Sequence, residues 1–364
     1  MADKKKSHVL WLTNLPAPYR FPIWDRMAES VELMVVFTLK RTNWRNWPEP
    51  GIKMWNYSYL SLNSLQIKEH DFIPSFRGSR KILRNIDVVI VGGWENFVYI
   101  RTILLAKKNK IPVVQFYEST SSSQRFHKGI IAKIRKWIFQ EPDMFVTISK
   151  ESKTALIEMG VSPEKIQVIF NPVDVSWFSS FAKKHRKQQV AGHRFLYVGQ
   201  LIDRKNVATV IQAFKAIKNE NDTFTIAGEG SLELGLKMLS RSLGIEESVN
   251  FVGHKRKEEL GMLYASSNTL ILASTNEVWG LVVNEALASG LNVIVSNRCG
   301  VAEFVNGMKG VFVCNTTNES ISNTMIRSRQ HWKNPINVPE ILKFTPELFA
   351  DEIVTIVSNL SMNN

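Results

Sequence analysis

Glu277 and Glu285 stand eight positions apart in Ser274–Gly290, which reads S-T-N-E-V-W-G-L-V-V-N-E-A-L-A-S-G. The first carboxylate follows the apolar run Thr269–Ala273, and the second lies inside Leu281–Ser289, whose spacing predicts a helix. Where a strand feeds a helix in a doubly wound sheet, free N–H groups and the positive end of the helix dipole face the ligand side. An anionic group such as a diphosphate would therefore fit on the backbone of Gly280, Leu281 and Val282, with a carboxylate on either side. Glu285 sits among Leu281, Val282, Leu287 and Ala288, where an ionised carboxylate needs hydrogen-bond donors. Paired sugar hydroxyls would supply two. On composition alone a plainer reading also stands, with Glu277 capping the helix and Glu285 a solvated helix position.

The elements that must hold these residues alternate along the chain. Strand-like runs at His8–Leu12, Val31–Phe37, Ile86–Val91, Ile111–Phe116, Met144–Ser149 and Ile166–Phe170 are separated by helical patterns such as Phe21–Met27, Val98–Lys108 and Glu151–Met159. The polar, basic stretch Ser176–His193 interrupts the rhythm and reads as a linker. The pattern then restarts, with strands at Phe195–Val198, Thr223–Ala227, Val249–Val252, Thr269–Ala273, Val293–Ser296 and Gly310–Val313. Continuous apolar strands alternating with helices mean parallel sheets covered on both faces. The expected fold class is α/β, with two Rossmann-like domains facing a cleft. One domain takes residues 1–175 and is completed by the final helix, 346–364; the other takes residues 190–345.

Charge divides unevenly between these halves. Of 364 residues, 46 are Lys or Arg and 33 Asp or Glu, a net +13. Residues 1–175 hold 26 and 16 of them, a net +10, which leaves +3 for the rest. A basic half suits nucleic acid, an anionic membrane surface, or plain solubility. In His127–Gln140, Ile130, Ile131, Ile134, Trp137 and Ile138 recur at helical spacing beside Lys128, Lys133, Arg135 and Lys136. Such a helix could lie flat on a bilayer, or its isoleucines could join the core. Lys40–Trp47 is a second basic and aromatic cluster, suited to a membrane interface, to stacking on sugars, or to a loop with its tryptophans packed inward. No apolar run approaches the ~18 residues of a membrane span, and no secretory signal is read at the start. Two cysteines, Cys299 and Cys314, cannot build a disulfide framework, and no Cys/His spacing suits zinc.

With these features together, the second half resembles the retaining glycosyltransferases of family 4, which have the GT-B fold. The Glu277-to-Glu285 segment looks like that family's E-x7-E signature. Tyr197-Val198-Gly199-Gln200-Leu201 with Lys205 resembles its V-G-R-L-x-x-x-K, and Ile226-Ala227-Gly228-Glu229-Gly230 resembles its G-x-G. Phe251-Val252-Gly253-His254 is similar to the element before the base pocket, and Gly300–Val305 to the G-x-x-E pattern after the last pocket strand. In the first half, Asn171-Pro172-Val173-Asp174 matches the N-x-x-D ahead of the crossover, while Gly92-Gly93-Trp94 and Glu118-Ser119 resemble acceptor-side loops more loosely.

The resemblance implies a nucleotide-diphosphate sugar, UDP- or GDP-linked, as donor in the 190–345 domain, and a glycan or lipid-linked acceptor on the other. Glu285 would hold the ribose, Glu277 the transferred sugar, and the Gly280–Val282 backbone the diphosphate, with Gly199, Gln200, Gly228, Gly230 and Gly253 lining the donor site. Lys205 would neutralise the departing phosphate, where charge develops in the transition state. Gln200 stands where the family has an arginine, so half of the usual phosphate clamp is missing, and Arg204 is the candidate substitute. On the acceptor side the candidates are Pro18, Tyr19, Arg20, Trp94 and Glu118, with Tyr19 and Trp94 as sugar-stacking faces and Arg20 suited to an anionic acceptor. The family's usual acceptor-side histidine is absent near Tyr117-Glu118. No metal and no dedicated base are expected.

Two other classes share some of these features. A GT-B epimerase or phosphorylase shares the architecture but matches fewer of these motifs. A nucleic-acid-binding module would need basic and aromatic residues on one platform, so no nucleic-acid partner is expected. The expected setting is the cytoplasm, peripheral on the inner leaflet of the membrane, in cell-surface polysaccharide or lipopolysaccharide assembly.

Overall fold

The alternating apolar runs form two parallel sheets in the computed structural model, which describes residues 6–38, 57–61, 65–67, 70–72, 82–120, 128–186 and 191–362. In chain order the first half places β1 (His8–Thr13), α1 (Phe21–Ser30), β2 (Glu32–Phe37), β3 (Ser58–Ser61), the hairpin β4 (Leu65–Ile67) and β5 (His70–Phe72), and β6 (Val88–Val91). It continues with α2 (Phe97–Lys108), β7 (Val113–Phe116), α3 (Ile130–Ile138), β8 (Met144–Thr147), α4 (Lys150–Glu158) and β9 (Ile166–Val168). The Lys40–Trp47 cluster lies outside the described residues.

The second half holds α5 (Val175–His185), β10 (Arg194–Val198), α6 (Val207–Ile217), β11 (Thr223–Ala227), α7 (Glu233–Ser242), β12 (Val249–Gly253) and α8 (Lys257–Ser266). After these come β13 (Thr269–Leu272), α9 (Leu281–Ala288), β14 (Asn292–Ser296), α10 (Ala302–Val305), β15 (Val311–Cys314), α11 (Asn318–His331) and finally α12 (Pro346–Met362).

Contacts divide the chain into two compact units, one running to Phe170 and resuming at Pro346, the other spanning Asn171–Thr345. The sheet of unit 1 has the order β3-β2-β1-β6-β7-β8-β9, all parallel. Its central strands are buried on both faces, as in the fully buried Val88–Val91. On one face α1 and the returning α12 close a core of Ile23, Trp24, Met27, Phe349, Ile353 and Val357. The spacing of Phe349, Ile353 and Ile356 puts one apolar stripe of α12 on that core, and Arg26 Nε bonds Asp351 Oδ1 at 3.0 Å beside it.

The sheet of unit 2 has the order β12-β11-β10-β13-β14-β15, again parallel. In both sheets the strand order reverses beside the first strand, between β1 and β6 and between β10 and β13. Ligand sites in open α/β sheets open at the carboxyl ends of strands at such a reversal.

The stretch read as a linker is α5 through much of its length. Its polar run hides the helical spacing of Val175, Phe178 and Ala182, which are buried, and the Asp174 carboxylate accepts the Trp177 N–H at 3.0 Å as its N-cap. The Phe178 ring meets Tyr264 edge-on at 5.8 Å, so this helix belongs to the core of unit 2.

Candidate active site

In unit 2 the loops after β10 and β13 bring the predicted cations to the first carboxylate. Lys205 Nζ donates to Glu277 Oε2, and Arg204 Nη1 approaches the same oxygen at 3.5 Å. Lys205 and Glu277 expose 11% and 13% of their side chains, whereas Arg204 exposes 45%. The ammonium and carboxylate are thus held together in a partly dehydrated pocket, where their attraction is least screened. Backbone bonds fix this contact: Thr275 N–H donates to Arg204 O at 2.8 Å, and Glu277 N–H to Arg298 O at 3.1 Å.

Asn206, which motif reading did not single out, secures the loop. It takes a left-handed φ of 58°, and its Nδ2 donates to Ala273 O and Thr316 O at 3.2 and 2.9 Å. Its only sequence signal is Asn at a helix start, a residue type that tolerates this conformation.

Gly280 begins α9 with φ +106°, and a Cβ there would lie 2.7 Å from Leu272 Cδ2. The glycine therefore lets the helix N-terminus sit hard against the end of β13. Leu281 and Val282 open its first turn, where N–H groups precede the regular helix ladder, while the Val283 N–H donates to Gly280 O at 2.9 Å.

One turn on, Glu285 Oε2 accepts a 2.6 Å hydrogen bond from the hydroxyl of Tyr264 on α8. Burial pushes Glu285 above the ordinary carboxylate range, while the Tyr264 bond and the Lys257 charge pull it back. Lys257 is itself held by Asp174 Oδ2 at 3.1 Å and lies 4.3 Å from the Trp177 ring centre. Neither Tyr264 nor Lys257 carries a motif; both enter because α8 packs beside α5 and α9.

Two of the other predicted donor-side glycines, Gly228 and Gly230, turn out to be points of close backbone approach. A Cβ on Gly228 would fall 1.9 Å from Gly199 O, and one on Gly230 would fall 2.3 Å from Leu201 O. Gly228 N–H donates to Gly253 O at 2.8 Å, which ties the ends of β11 and β12. Beside Gly199, the Tyr197 hydroxyl donates to Gln200 O at 2.8 Å, while the Gln200 side chain lies in an exposed residue. The Asn171–Asp174 motif is likewise anchored, since Asn284 Nδ2 on α9 donates to Asn171 O at 2.8 Å.

Unit 1 carries a cavity of about 750 Å³ at the ends of β1, β6 and β7. Tyr19, Arg20, Trp94 and Glu118 all line it; Pro18 does not, and instead opens the 3-10 turn that presents Tyr19 and Arg20. Arg20 is buried, with its guanidinium 5.4 Å from the ring centres of Tyr19, Phe116 and Phe349, and Nη2 donates to Glu118 Oε1 at 2.9 Å. Three rings and one carboxylate fix the arginine, which in turn orients Glu118 at the cavity wall. The remaining wall mixes Asn14 and Glu95 with Phe97 and, from α3, Ile131 and Ile134.

Among the described residues no helix is long and apolar enough to cross a membrane. Nor, among them, do three His, Cys, Asp or Glu side chains gather as metal ligands would.

Comparison with known proteins places this geometry. Residues 180–333 match the model "Glycosyl transferases group 1", and residues 56–177 match "Glycosyltransferase Family 4". A glycogen synthase of Mycobacterium tuberculosis is 30% identical over 237 residues, covering 62% of this chain and 56% of the relative. The O-antigen chain mannosyltransferase RfbU of Salmonella typhimurium is 29% identical over 153 residues, covering 42% and 41%. The chain thus spans about half the length of the curated relatives it matches. The fold is also that of Anabaena Alr3699/HepE, solved in complex with UDP, with a TM-score of 0.68, 16% identity and coverage of 97% and 100%. Two family models in succession along the chain, over two parallel Rossmann-like units, make this protein a member of the GT-B glycosyltransferases of the family 4 type.

Proposed function

We propose that the protein transfers a sugar, with retention of anomeric configuration and without a metal ion, from a nucleotide-diphosphate donor to a glycan or lipid-linked acceptor. The observation that carries the reading is the Lys205–Glu277 contact beside the Gly280 start of α9, with Glu285 one turn further on. The ribose hydroxyls bond Glu285, the diphosphate meets the first-turn N–H groups of α9, and Glu277 holds the sugar. Lys205, assisted by Arg204 in place of the arginine absent at Gln200, neutralises the departing phosphate. The bond from the anomeric carbon to the diphosphate oxygen breaks while the acceptor hydroxyl adds to the same face. Its proton passes to the leaving phosphate, so no separate base is needed.

The acceptor enters the unit 1 cavity, where Glu118, oriented by Arg20, takes a hydroxyl and Trp94 and Tyr19 supply ring faces. The basic half of the chain sets the enzyme on an anionic inner leaflet, where cell-surface polysaccharide is assembled.

The test is incubation of the purified chain with UDP- and GDP-sugars, with and without EDTA, following release of free sugar and its anomeric form by NMR. Slow release in the donor's own configuration, unchanged by EDTA, is expected. No release from any donor, alongside tight and salt-dependent binding to oligonucleotides, would overturn the reading.

A further inference from the structure

We propose that the sugar entering the unit 1 cavity carries a carboxylate, which the guanidinium of Arg20 and the indole of Trp24 hold at the cavity floor. This rests on the acceptor reading above and goes beyond it in naming the chemistry of that sugar and in adding Trp24 as a specificity residue. Arg20 is the N-cap of α1 in helical conformation and Trp24 follows four residues on, so the two share one face of the helix. Both line the cavity. They are 8% and 1% exposed, and among the described residues neither Arg20 Nη1 nor Trp24 Nε1 has a hydrogen-bond partner. Native interiors rarely leave such donors unmet, because nothing then offsets their desolvation.

Rings surround the two donors. Trp11 lies 5.9 Å from Trp24 and 5.0 Å from Phe116, centre to centre, and the Arg20 guanidinium lies 5.4 Å from Phe116. Trp94 and Phe97 extend the aromatic wall. In so weakly polar a floor a charge-assisted hydrogen bond is stronger than at an open surface.

Both atoms can only donate, so their partner must accept. A hydroxyl has a proton of its own to place among the rings, whereas a carboxylate offers two oxygens and no proton. The charges lining the cavity cancel, Arg20 and Arg135 against Glu95 and Glu118, so one further negative charge is set against the net +10 of residues 1–175. A phosphate dianion would instead place two charges beside Glu118 on a single guanidinium. Glu118 itself, with Oε1 held by Arg20 Nη2 at 2.9 Å and its side chain 39% exposed, is left to accept a hydroxyl of the same sugar. A carboxylate at the floor and a hydroxyl at Glu118 together describe a sugar acid.

The experiment titrates the full chain, with saturating UDP, against the methyl glycosides of glucuronic and galacturonic acid and of their neutral counterparts, glucose and galactose, following the ligand signals by NMR. Wild type should bind at least one acid about tenfold more tightly than its neutral counterpart, the scale of a hydrogen bond to a charged group. Trp24→Phe, which keeps a ring and removes the N–H, should cut that preference about fivefold and leave the affinity for the neutral glycoside unchanged. Arg20→Lys, which keeps the charge and gives up the fork, should erase most of it. Equal affinities for acid and neutral glycosides in wild type would overturn the proposal without need of a variant, and so would an undiminished preference in Trp24→Phe. Inorganic phosphate that competes for the cavity more tightly than either acid would overturn it too, by revealing a dianion site. Binding of the neutral glycosides alone would leave the glycan-acceptor reading standing. Binding of UDP but of no glycoside would remove that reading together with the proposal and leave the donor site of unit 2 untouched.

Discussion

The Tyr264 hydroxyl, at the centre of a fully buried residue, donates a 2.6 Å hydrogen bond to Glu285 Oε2 and is the main influence opposing the desolvation of that carboxylate. Burial raises Glu285 above its unfolded value, so the native state holds a proton that the unfolded chain has already released. The carboxyl therefore favours the fold at low pH, and this contribution is lost as pH rises through the raised value. When ionised, the carboxylate has the Tyr264 hydroxyl as donor, and ribose hydroxyls would add to it.

Tyr264→Phe removes the donor and lets the Glu285 value climb further. It should cost about 1–3 kcal/mol of stability at neutral pH and about tenfold in UDP affinity, a loss of one hydrogen-bonding partner. The stability deficit should shrink as pH falls and Glu285 protonates in both proteins. Thermal unfolding across pH together with UDP titration measures this; a pH-independent deficit with unchanged UDP affinity would refute the positioning role.

Glu277→Gln should separate nucleotide binding from chemistry. Lys205 keeps only 11% of its side chain exposed, so neutralising its partner leaves a largely buried ammonium and should cost about 2 kcal/mol of stability. Donor turnover should fall by about 10²–10³, the usual scale for a lost electrostatic group, while UDP itself binds as before. Arg204→Gln should be milder, because Arg204 is 45% exposed and stands 3.5 Å from the carboxylate. Parallel loss of UDP affinity in Glu277→Gln would remove Glu277 from the sugar and place it on the nucleotide.

The strand rhythm was legible because parallel strands buried on both faces are written as unbroken apolar runs. The Glu277–Glu285 turn was legible too, since a strand end, a glycine and a helix start are all local signals. The misreading at Ser176–His193 has a local cause as well: serines and lysines between Val175, Phe178 and Ala182 mask the helical stripe of α5. Tyr264 and Lys257 could not be found that way, because each acts through the packing of one helix on another. The glycines at 228 and 230 stand out in sequence as ligand contacts, whereas much of their need is steric, set by the backbone after the neighbouring strand β10.

Gly280→Ala tests whether the start of α9 is held by contact as well as by conformation. At φ +106° a side chain is strained by about 1–3 kcal/mol, and the Cβ would also press on Leu272. Both stability and UDP affinity should fall. Gly244, at φ +64° with open space around its Cβ, offers the contrast: Gly244→Ala should cost about 1 kcal/mol and leave UDP binding intact. Equal effects of the two substitutions on UDP binding would show that the helix start is not where the diphosphate rests.

His193 gives unit 2 an acid limit of opposite sign to Glu285. Its Nε2 shares a 2.8 Å hydrogen bond with Thr269 Oγ1, its ring lies 4.6 Å from Phe195, and desolvation holds its pKa down to about 4. The Asp222 charge pulls upward, and Arg329 and Arg194 add to the depression. The unfolded chain takes up a proton near pH 6.5 that the native imidazole refuses until about pH 4, so stability is complete above that window and drains away as pH falls through it. The full difference corresponds to about 3 kcal/mol. His193→Gln cannot titrate, and it should be less stable than wild type at pH 7 through poorer packing against Phe195 yet lose less on acidification. The measurement is the wild-type-minus-variant difference in unfolding temperature at steps between pH 7 and 4. A difference that stays constant over that range would mean that His193 titrates alike in the folded and unfolded chain.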